Sequence, residues 1–407
     1  MSPRKARAGA RAVPVAGPRL DVDALLDEKS LRVVVCCGSG GVGKTTVAAA
    51  LALRAAERGR RTVVLTIDPA RRLAQSLGLT ELDNTPRPVQ GVRATGEGFL
   101  DAMMLDMKRT FDEVVEAHAT PEKAAQMLAN PFYQALSSSF AGTQEYMAME
   151  KLGQLRGVVD TDGRPRWDLI VVDTPPSRSA LDFLDAPERL GSFLDGRLIR
   201  LLLAPAKAGG RAYVRVLSTI AGGVTGVMNR VLGAQVLTDV QTFVAAFDTM
   251  FGGFRERAQA TYALLASEGT SFVVVAAPEP DAVREAGFFV ERLQAEGMPL
   301  AGVVVNRATV STEQALDCET AMAAAKAAAV DDDAHDGTSE VLWVHARRVR
   351  RLEAERQVAA RLTRLNPPVP TVVAPARPLD VTDLDSLRAV GEDLATGPVV
   401  SPRASAP

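Results

Sequence analysis

The chain contains one glycine-rich stretch that could bind phosphate groups. Residues 33–50 read VVVCCGSGGVGKTTVAAA, so a β-branched apolar run leads into glycines and then into an alanine-rich segment. The spacing fits G-x-x-x-x-G-K-[ST], with Gly38, Gly43, Lys44 and Thr45 at the defined positions. Glycines let the backbone turn tightly, and inward-pointing amides at a helix N-terminus bind phosphate. The pattern predicts a nucleotide-binding P-loop, with a plain glycine-rich turn as the alternative.

Two side chains of this stretch suit the chemistry of a nucleoside phosphate. The Lys44 ammonium can reach the β- and γ-phosphates, and the Thr45 hydroxyl can ligate Mg²⁺. Magnesium is therefore an expected cofactor. The predicted contact residues of the loop are Gly38, Ser39, Gly40, Gly41, Val42, Gly43, Lys44, Thr45 and Thr46.

Two acids follow apolar runs elsewhere in the chain. Asp68 comes after RTVVLTI, and Asp173 comes after WDLIVV. Both runs read as buried strands, and ligands of open α/β sheets bind at the carboxyl ends of such strands. We expect Asp173 to hold Mg²⁺ through a water, and the two acids together could divide the tasks of positioning the attacking water and holding the metal. A strand-ending turn is the alternative reading of Asp68.

The elements that must position these residues alternate between strands and helices. A strand, a helix of about 45–58 and a second strand predict a right-handed βαβ unit and a parallel sheet. The fold class expected is therefore α/β, a P-loop NTPase with a mostly parallel, doubly wound sheet and an inserted helical subdomain. Further strands are predicted at 102–107, 271–276, 301–305 and 371–374, a short helix at 20–31 and a basic helix at 341–365.

The domain organisation predicted from composition is one large domain between two tails. Residues 1–19 form a basic tail and 397–407 a Pro- and Ser-rich tail, both expected to be disordered. The ATPase domain spans 20–396, with helical subdomain segments at 108–160 and 190–268 and a polar, mobile insertion at 309–339. The apolar stretches of the 190–268 segment have two readings. They form a surface that binds a client or a second protomer, or they belong to the ordinary core.

Composition excludes several classes of protein. The 407 residues carry a formal net charge of −2, which gives no reason to expect a nucleic-acid partner. The three cysteines include no C-x-x-C pair, so a zinc site of the usual spacing is excluded and a reducing cytoplasm is expected. No apolar run is long enough to predict a transmembrane segment, and the N-terminus lacks the apolar region of a secretory signal.

Four motifs of the chain resemble those of a known family. GGVGKTT, TIDPARRLAQSLG, DLIVVDTPPSRSALDFL and the late VVVNR are similar, in this order, to the arsenite-transporting ATPase group. That group includes the ATPase that guides tail-anchored membrane proteins. The resemblance covers residues 32–394 apart from the insertion, and it implies an ATP-hydrolysing, nucleotide-gated dimer. It is specific for the group and does not single out one member.

The resemblance also implies roles for individual residues. Asp68 matches the acid that orients the attacking water, and Asp173 matches the acid that senses the γ-phosphate. Asn306 matches the asparagine that reads adenine, although a turn-forming Asn is an equal alternative. The adenine loop falls at Pro375, Arg377 and Pro378. Gly142 and Glu145 resemble the family's P-G-x-x-E segment, which lacks its proline here.

Departures from the family pattern limit what the resemblance implies. The family loop reads K-G-G-x-G-K-T, and Ser39 stands where its first lysine belongs. That lysine crosses the dimer interface to the partner's active site, and Arg71 or Arg178 could substitute for it. Metalloid-binding cysteines and the zinc-clamping C-x-x-C are absent, and the chain has one P-loop instead of a tandem pair.

Three functions remain open from the sequence. The first is a cytoplasmic, Mg·ATP-dependent dimeric ATPase with an apolar or membrane-protein client. The second is a slow or non-hydrolysing nucleotide-binding subunit that regulates a lysine-bearing paralogue, so that the dimer would be a homodimer or a heterodimer. The third is a small-molecule kinase, for which the apolar insert offers few polar anchors. Turnover without an added acceptor would separate the first from the other two.

Overall fold

A parallel β-sheet organises the part of the chain that the computed structural model describes, namely residues 18–68, 72–130, 133–134, 143–175, 256–257, 259–310, 316–329, 337–362 and 367–397. Its strands, numbered along the chain, are β1 Val33–Cys37, β2 Arg61–Thr66, β3 Arg87–Pro88, β4 Phe99–Met104, β5 Leu169–Asp173, β6 Thr270–Ala276, β7 Leu300–Ala308 and β8 Thr371–Pro375. They lie in the order β3-β4-β2-β5-β1-β6-β7-β8.

The pairing within this sheet confirms the predicted fold class. Every neighbouring pair is parallel except β3 and β4, which pair antiparallel at the edge. Strand β1 lies between β5 and β6, and the chain leaves it toward β2 on one side while β6, β7 and β8 follow on the other. Ligands of doubly wound sheets bind at such a switch point, beyond the carboxyl ends of the strands.

Helices cover both faces of the sheet, each with its own buried apolar cluster. One face carries α1 Val22–Asp27, α2 Lys44–Glu57, α3 Arg72–Ser76 and α10 Leu384–Thr396. The other carries α4 Met107–His118, α5 Pro121–Leu128, α6 Thr143–Gly157, α7 Pro280–Ala295 and α9 Thr338–Ala359. Helix α8 Cys318–Ala328 packs against α9.

Helix α2 is enclosed between the sheet and α10. Its sequence, KTTVAAALALRAAE, buries alanines on more than one side. Small side chains let a second helix approach closely: a Cβ at Gly391 of α10 would lie 3.5 Å from the Ala50 carbonyl oxygen. Arg388 of α10 also pairs with Glu57 at 2.7 Å. The helix that follows the glycine-rich loop is therefore packed between the sheet and α10.

Most predicted elements appear within one to three residues of their expected bounds, and β4 shows the largest shift among the strands. The prediction of 102–107 was wrong by three residues, because the strand ends at Met104. Asp106 instead caps helix α4, and its side chain accepts a hydrogen bond from the Arg109 N–H at 2.9 Å. The Asp106 N–H donates to Asn84 Oδ1 at 2.9 Å and not to a neighbouring strand, so the sheet pairing has ended before this residue.

Other differences concern helices that the sequence reading did not include. Helices α3, α7 and α10 and the edge strand β3 were not predicted, and the basic helix predicted at 341–365 is α9, which spans Thr338–Ala359. Helix α8 lies inside the polar segment 309–339, where its buried positions are Ala321 and Ala325, too small to mark an amphipathic pattern. Residues 311–315 and 330–336 of that segment lie outside the described residues, as do both tails up to residue 17 and from 398, and most of the 190–268 segment.

Candidate functional site

The loop between β1 and α2 is a tight turn that requires glycine. Gly38 and Gly43 have φ of 146° and 91°, which side chains with a Cβ rarely adopt. A Cβ at Gly38 would lie 2.1 Å from the Val275 carbonyl oxygen, and one at Gly43 would lie 2.3 Å from Asn306 Nδ2. Strands β6 and β7 therefore approach the loop too closely for any other residue at these two positions.

The N-terminus of α2 is open toward this loop. The helix begins at Lys44, and Gly43 at its N-cap offers no side chain to the amides of the first turn. The first amides of a helix have no partner within it and carry partial positive charge. The loop and the helix together form a site suited to a phosphate anion.

Lys44 lies inside the loop and is only 6% exposed. Its Nζ donates a hydrogen bond to the Ser39 carbonyl oxygen at 2.9 Å, so the loop itself holds the ammonium in place. Burial lowers the pKa of Lys44, and the nearby carboxylates of Asp173 and Asp68 oppose that shift. The ammonium is thus desolvated and oriented, as a phosphate ligand requires.

Asp68 and Asp173 are linked through Thr66, a residue that the sequence reading missed. The Thr66 hydroxyl donates to Asp173 Oδ2 at 2.8 Å and accepts from the Asp68 N–H at 3.2 Å. The sheet register pairs Thr66 directly with Asp173, which explains the contact. One buried hydroxyl therefore contacts the carboxylate of Asp173 and the backbone of Asp68, the two residues that were predicted to share the site.

The surroundings of Asp173 fit a divalent cation. The carboxyl is buried, and Oδ1 is among the described buried atoms that have no hydrogen-bond partner. Desolvation raises its pKa to about 6, while the hydroxyls of Thr45 and Thr66 and the Lys44 ammonium act in the opposite direction. An unpaired carboxylate oxygen beside a threonine hydroxyl offers the hard oxygen ligands that Mg²⁺ prefers. Thr45 and Asp173 are the residues that would hold it.

The raised pKa of Asp173 predicts a stability cost in metal-free protein. An unfolded Asp titrates near 3.9, so the folded state binds more protons between about pH 4 and 6 and loses stability as pH rises through that window. Asp173→Asn keeps an acceptor for Thr66 and removes the charge. In EDTA at pH 8 we expect this variant to be more stable than wild type by up to about 3 kcal/mol.

Thermal unfolding at pH 8 and at pH 5 measures this effect. The difference in melting temperature between Asp173→Asn and wild type should shrink at pH 5, where the folded carboxyl is largely protonated. A variant that is less stable than wild type at pH 8 would contradict the account. The same variant should also lose magnesium-dependent nucleotide binding.

A cleft of about 1040 Å³ opens beside the loop, at the carboxyl edge of the sheet. It contains residues of the loop and α2 on one side and of β7, β8 and their following segments on the other. Its lining includes Gly41, Gly43, Lys44, Thr45, Thr46, Asp68, Thr174, Asn306, Pro375 and Arg377. Many of the predicted site residues therefore meet in one cavity, whose size is at the upper end for a small-molecule site.

Three of the four predicted adenine-binding residues line the cleft. Asn306 is buried at the end of β7, and its Nδ2 donates to the Val42 carbonyl oxygen at 2.9 Å. Pro375 and Arg377 line the cleft, but Pro378 is not part of the lining described. Arg377 pairs with Asp393 of α10, which anchors this segment to the helix behind it. The base-reading role of these residues stays a prediction.

Ser39 is not among the residues that line the large cleft. It is 8% exposed, and its Oγ is buried without a hydrogen-bond partner. It lines a second cavity of about 310 Å³ together with three acids of the β6–α7 region, Glu279, Asp281 and Glu285. Gly40 and Val42 also line this smaller cavity.

Some predicted residues cannot be placed, and others were not predicted. Arg71, Gly142 and Arg178 lie outside the described residues, and Glu145 lies within α6. Arginines that the sequence reading did not select line the large cleft: Arg72, Arg307 and Arg351. The first two are the last residues of TIDPARR and VVVNR, stretches quoted above, and only this position within a motif could have indicated them.

Comparison with known proteins identifies what the chain resembles. Residues 31–333, more than half of the chain, match the sequence profile of a family described as anion-transporting ATPases. The wall of the large cleft formed by Arg351 and by residues 374–393 lies beyond this matched region.

Individual relatives match parts of the chain, at sequence identities between 27% and 31% for the three described here. The chain is 31% identical over 166 residues to the ATPase GET3 of Malassezia globosa, covering 41% of this chain and 45% of that protein. It is 29% identical over 160 residues to the arsenical pump-driving ATPase of Acidiphilium multivorum, covering 39% of this chain and 26% of that protein. It is 27% identical over 287 residues to the ATPase ARSA2 of Chlamydomonas reinhardtii, covering 70% and 69%. The chain thus spans less than half the length of the first two relatives.

No helix in the described part of the chain is long and apolar enough to cross a bilayer.

Proposed function

This chain belongs to the anion-transporting ATPase family, and from that premise we propose that it binds and hydrolyses ATP with Mg²⁺ as a nucleotide-switched dimer in the cytoplasm. Its client would be an apolar segment, such as part of a membrane protein. The observation that carries the proposal is the arrangement around Thr66, which holds Asp68 and Asp173 beside the buried Lys44 ammonium.

Each of these groups has a defined task toward a bound triphosphate. The loop amides and the α2 N-terminus bind phosphate oxygens, and Lys44 neutralises charge on the β- and γ-phosphates. Thr45 and Asp173 would hold Mg²⁺, which when bound would neutralise charge on the phosphate oxygens. Asp68 lines the cleft and orients the attacking water. Asn306, Pro375 and Arg377 line the same cleft and would enclose the base.

The role of Asp68 predicts a separation of binding from turnover. A water-orienting acid acts mainly in the transition state, so Asp68→Asn should bind ATP nearly as well as wild type while hydrolysing it about 100-fold or more slowly. Isothermal titration and single-turnover phosphate release measure the two quantities separately.

A matched control comes from an exposed acid on α9. Glu353→Gln removes one negative charge from a solvent-facing position and should change neither quantity. If Asp68→Asn hydrolyses ATP at the wild-type rate, Asp68 is a strand-ending turn residue and the water-positioning role is refuted.

Phosphate release without any added acceptor also separates an ATPase from a small-molecule kinase.

The dimer and the client rest on the family resemblance and on the apolar composition of residues 192–268. Nucleotide contacts at Asp68 and Asp173 would order the segments that follow them, and hydrolysis would release those segments. Purification from the native cell with a trapped nucleotide, followed by identification of co-purifying proteins, tests this part. A co-purifying membrane protein supports it, and recovery without any apolar partner in either nucleotide state contradicts it.

A second candidate function follows from Ser39. Where the family pattern has a lysine, this chain has a buried, uncharged hydroxyl. A homodimer would then lack the cation that each protomer supplies to its partner, unless Arg71 or Arg178 replaces it. The chain would instead be a slow ATPase or a non-hydrolysing subunit whose site is completed by the lysine of a paralogue.

A further inference from the structure

The end of β7 has an unfavourable backbone conformation beside the glycine-rich loop. Arg307 has φ of 59°, and no other residue except glycine has a positive φ in the ranges that the structure describes. The left-handed region is unfavourable for a residue with a Cβ and persists only where surrounding contacts hold it. The register of β7 against β8 shifts between Val305 and Ala308, so Arg307 lies in an irregularity of the strand.

This irregularity brings two side chains onto the glycine-rich loop. Arg307 Nη1 donates to the Gly41 carbonyl oxygen at 2.8 Å, and Asn306 Nδ2 donates to the Val42 carbonyl oxygen at 2.9 Å. Successive residues of β7 therefore hold successive carbonyl groups of the loop. In regular β-structure, neighbouring side chains point to opposite faces, so both could not reach the loop.

Holding a carbonyl also orients the amide on the other side of the same peptide bond. The peptide unit is planar and trans, so its N–H points away from its C=O. When the carbonyls of Gly41 and Val42 point toward β7, the N–H groups of Val42 and Gly43 point away from β7. Without such contacts a glycine-rich loop samples many conformations, and ordering it on binding costs affinity.

We propose that Arg307 is a positioning residue that fixes the phosphate-binding loop in its ligand-ready conformation, and that its left-handed backbone is maintained for this contact. The inference rests on the nucleotide-binding function proposed above and gives a role to Arg307, the last residue of VVVNR, which the sequence analysis left without one. Because Arg307 acts on the loop backbone, its effect should be the same for every ligand that places a β-phosphate there.

The test compares two variants that lose the same contact and differ in backbone freedom. Arg307→Gly and Arg307→Ala both remove the guanidinium, but only glycine adopts φ of 59° without strain. Both should bind ADP and Mg·ATP about tenfold more weakly, as expected for one lost charge-assisted hydrogen bond. The nucleotide-free Arg307→Gly protein should melt roughly 1–3 °C above Arg307→Ala.

Two further variants serve as controls for charge and for backbone conformation. Arg347→Gln removes a positive charge from an exposed position of α9 and should change neither affinity nor melting temperature. Arg307→Asn, with a residue that tolerates this backbone and cannot reach Gly41, should behave like Arg307→Gly. Wild-type affinity in the Gly and Ala variants, a loss confined to ATP, or an Ala variant at least as stable as the Gly variant would overturn the inference. Absence of nucleotide binding by the wild-type protein would refute the proposed function and the inference together.

Discussion

Lys44→Ala is expected to lose Mg·ATP affinity or turnover by about 100- to 1,000-fold, as truncation of a buried charged partner usually costs. In wild type the ammonium is buried and directed by the Ser39 carbonyl oxygen, so little ordering is needed when phosphate binds. Alanine also removes a positive charge that lowers the pKa of Asp173. The variant should therefore weaken the magnesium ligand as well as the phosphate contact.

Titration calorimetry with ATP and ADP, together with phosphate release, measures this loss. Lys326→Ala, at an exposed position of α8, is the matched control and should behave like wild type. Lys44→Arg should remain impaired, because the buried site leaves little room for a larger and differently shaped cation. An alanine variant with wild-type affinity and intact turnover would refute the P-loop assignment.

Ser39→Lys is expected to raise the ATPase rate of the isolated chain, by about 10³-fold if the lysine serves a partner's site as an arginine finger does. Serine is too short and uncharged to act across an interface. The cavity of about 310 Å³ beside Ser39 gives a longer side chain room to extend, and Glu279, Asp281 and Glu285 favour a cation there. Wild type alone should bind ATP and turn it over slowly.

The control for Ser39→Lys is Ser39→Gln, which adds length without charge and should leave the rate low. Because the lysine would act in the partner's site, the gain should increase with protein concentration over the range in which the chain dimerises. Adding a lysine-bearing paralogue to wild type should produce the same acceleration. Brisk turnover by wild type that Ser39→Lys does not change would show that no such cation is needed.

Some properties were determined by the sequence alone because they depend on neighbouring residues. The glycines, Lys44 and Thr45 lie within eight positions, and backbone freedom, charge and hydroxyl chemistry at that spacing already indicate a phosphate loop. Apolar runs that end in Asp68 or Asp173 likewise indicated buried parallel strands with acids at the binding edge. The fold class followed from the order of these elements.

Only the tertiary structure decided how these residues act on one another. Thr66 joins the two acids because β2 and β5 are neighbours in a register that pairs it with Asp173, more than a hundred positions away. Arg307 reaches Gly41 because β7 ends irregularly two strands from β1. Ser39 is buried beside three acids of the β6–α7 region. Strand order, register and local bulges arise from packing over the whole sheet, so residue spacing along the chain does not reveal them.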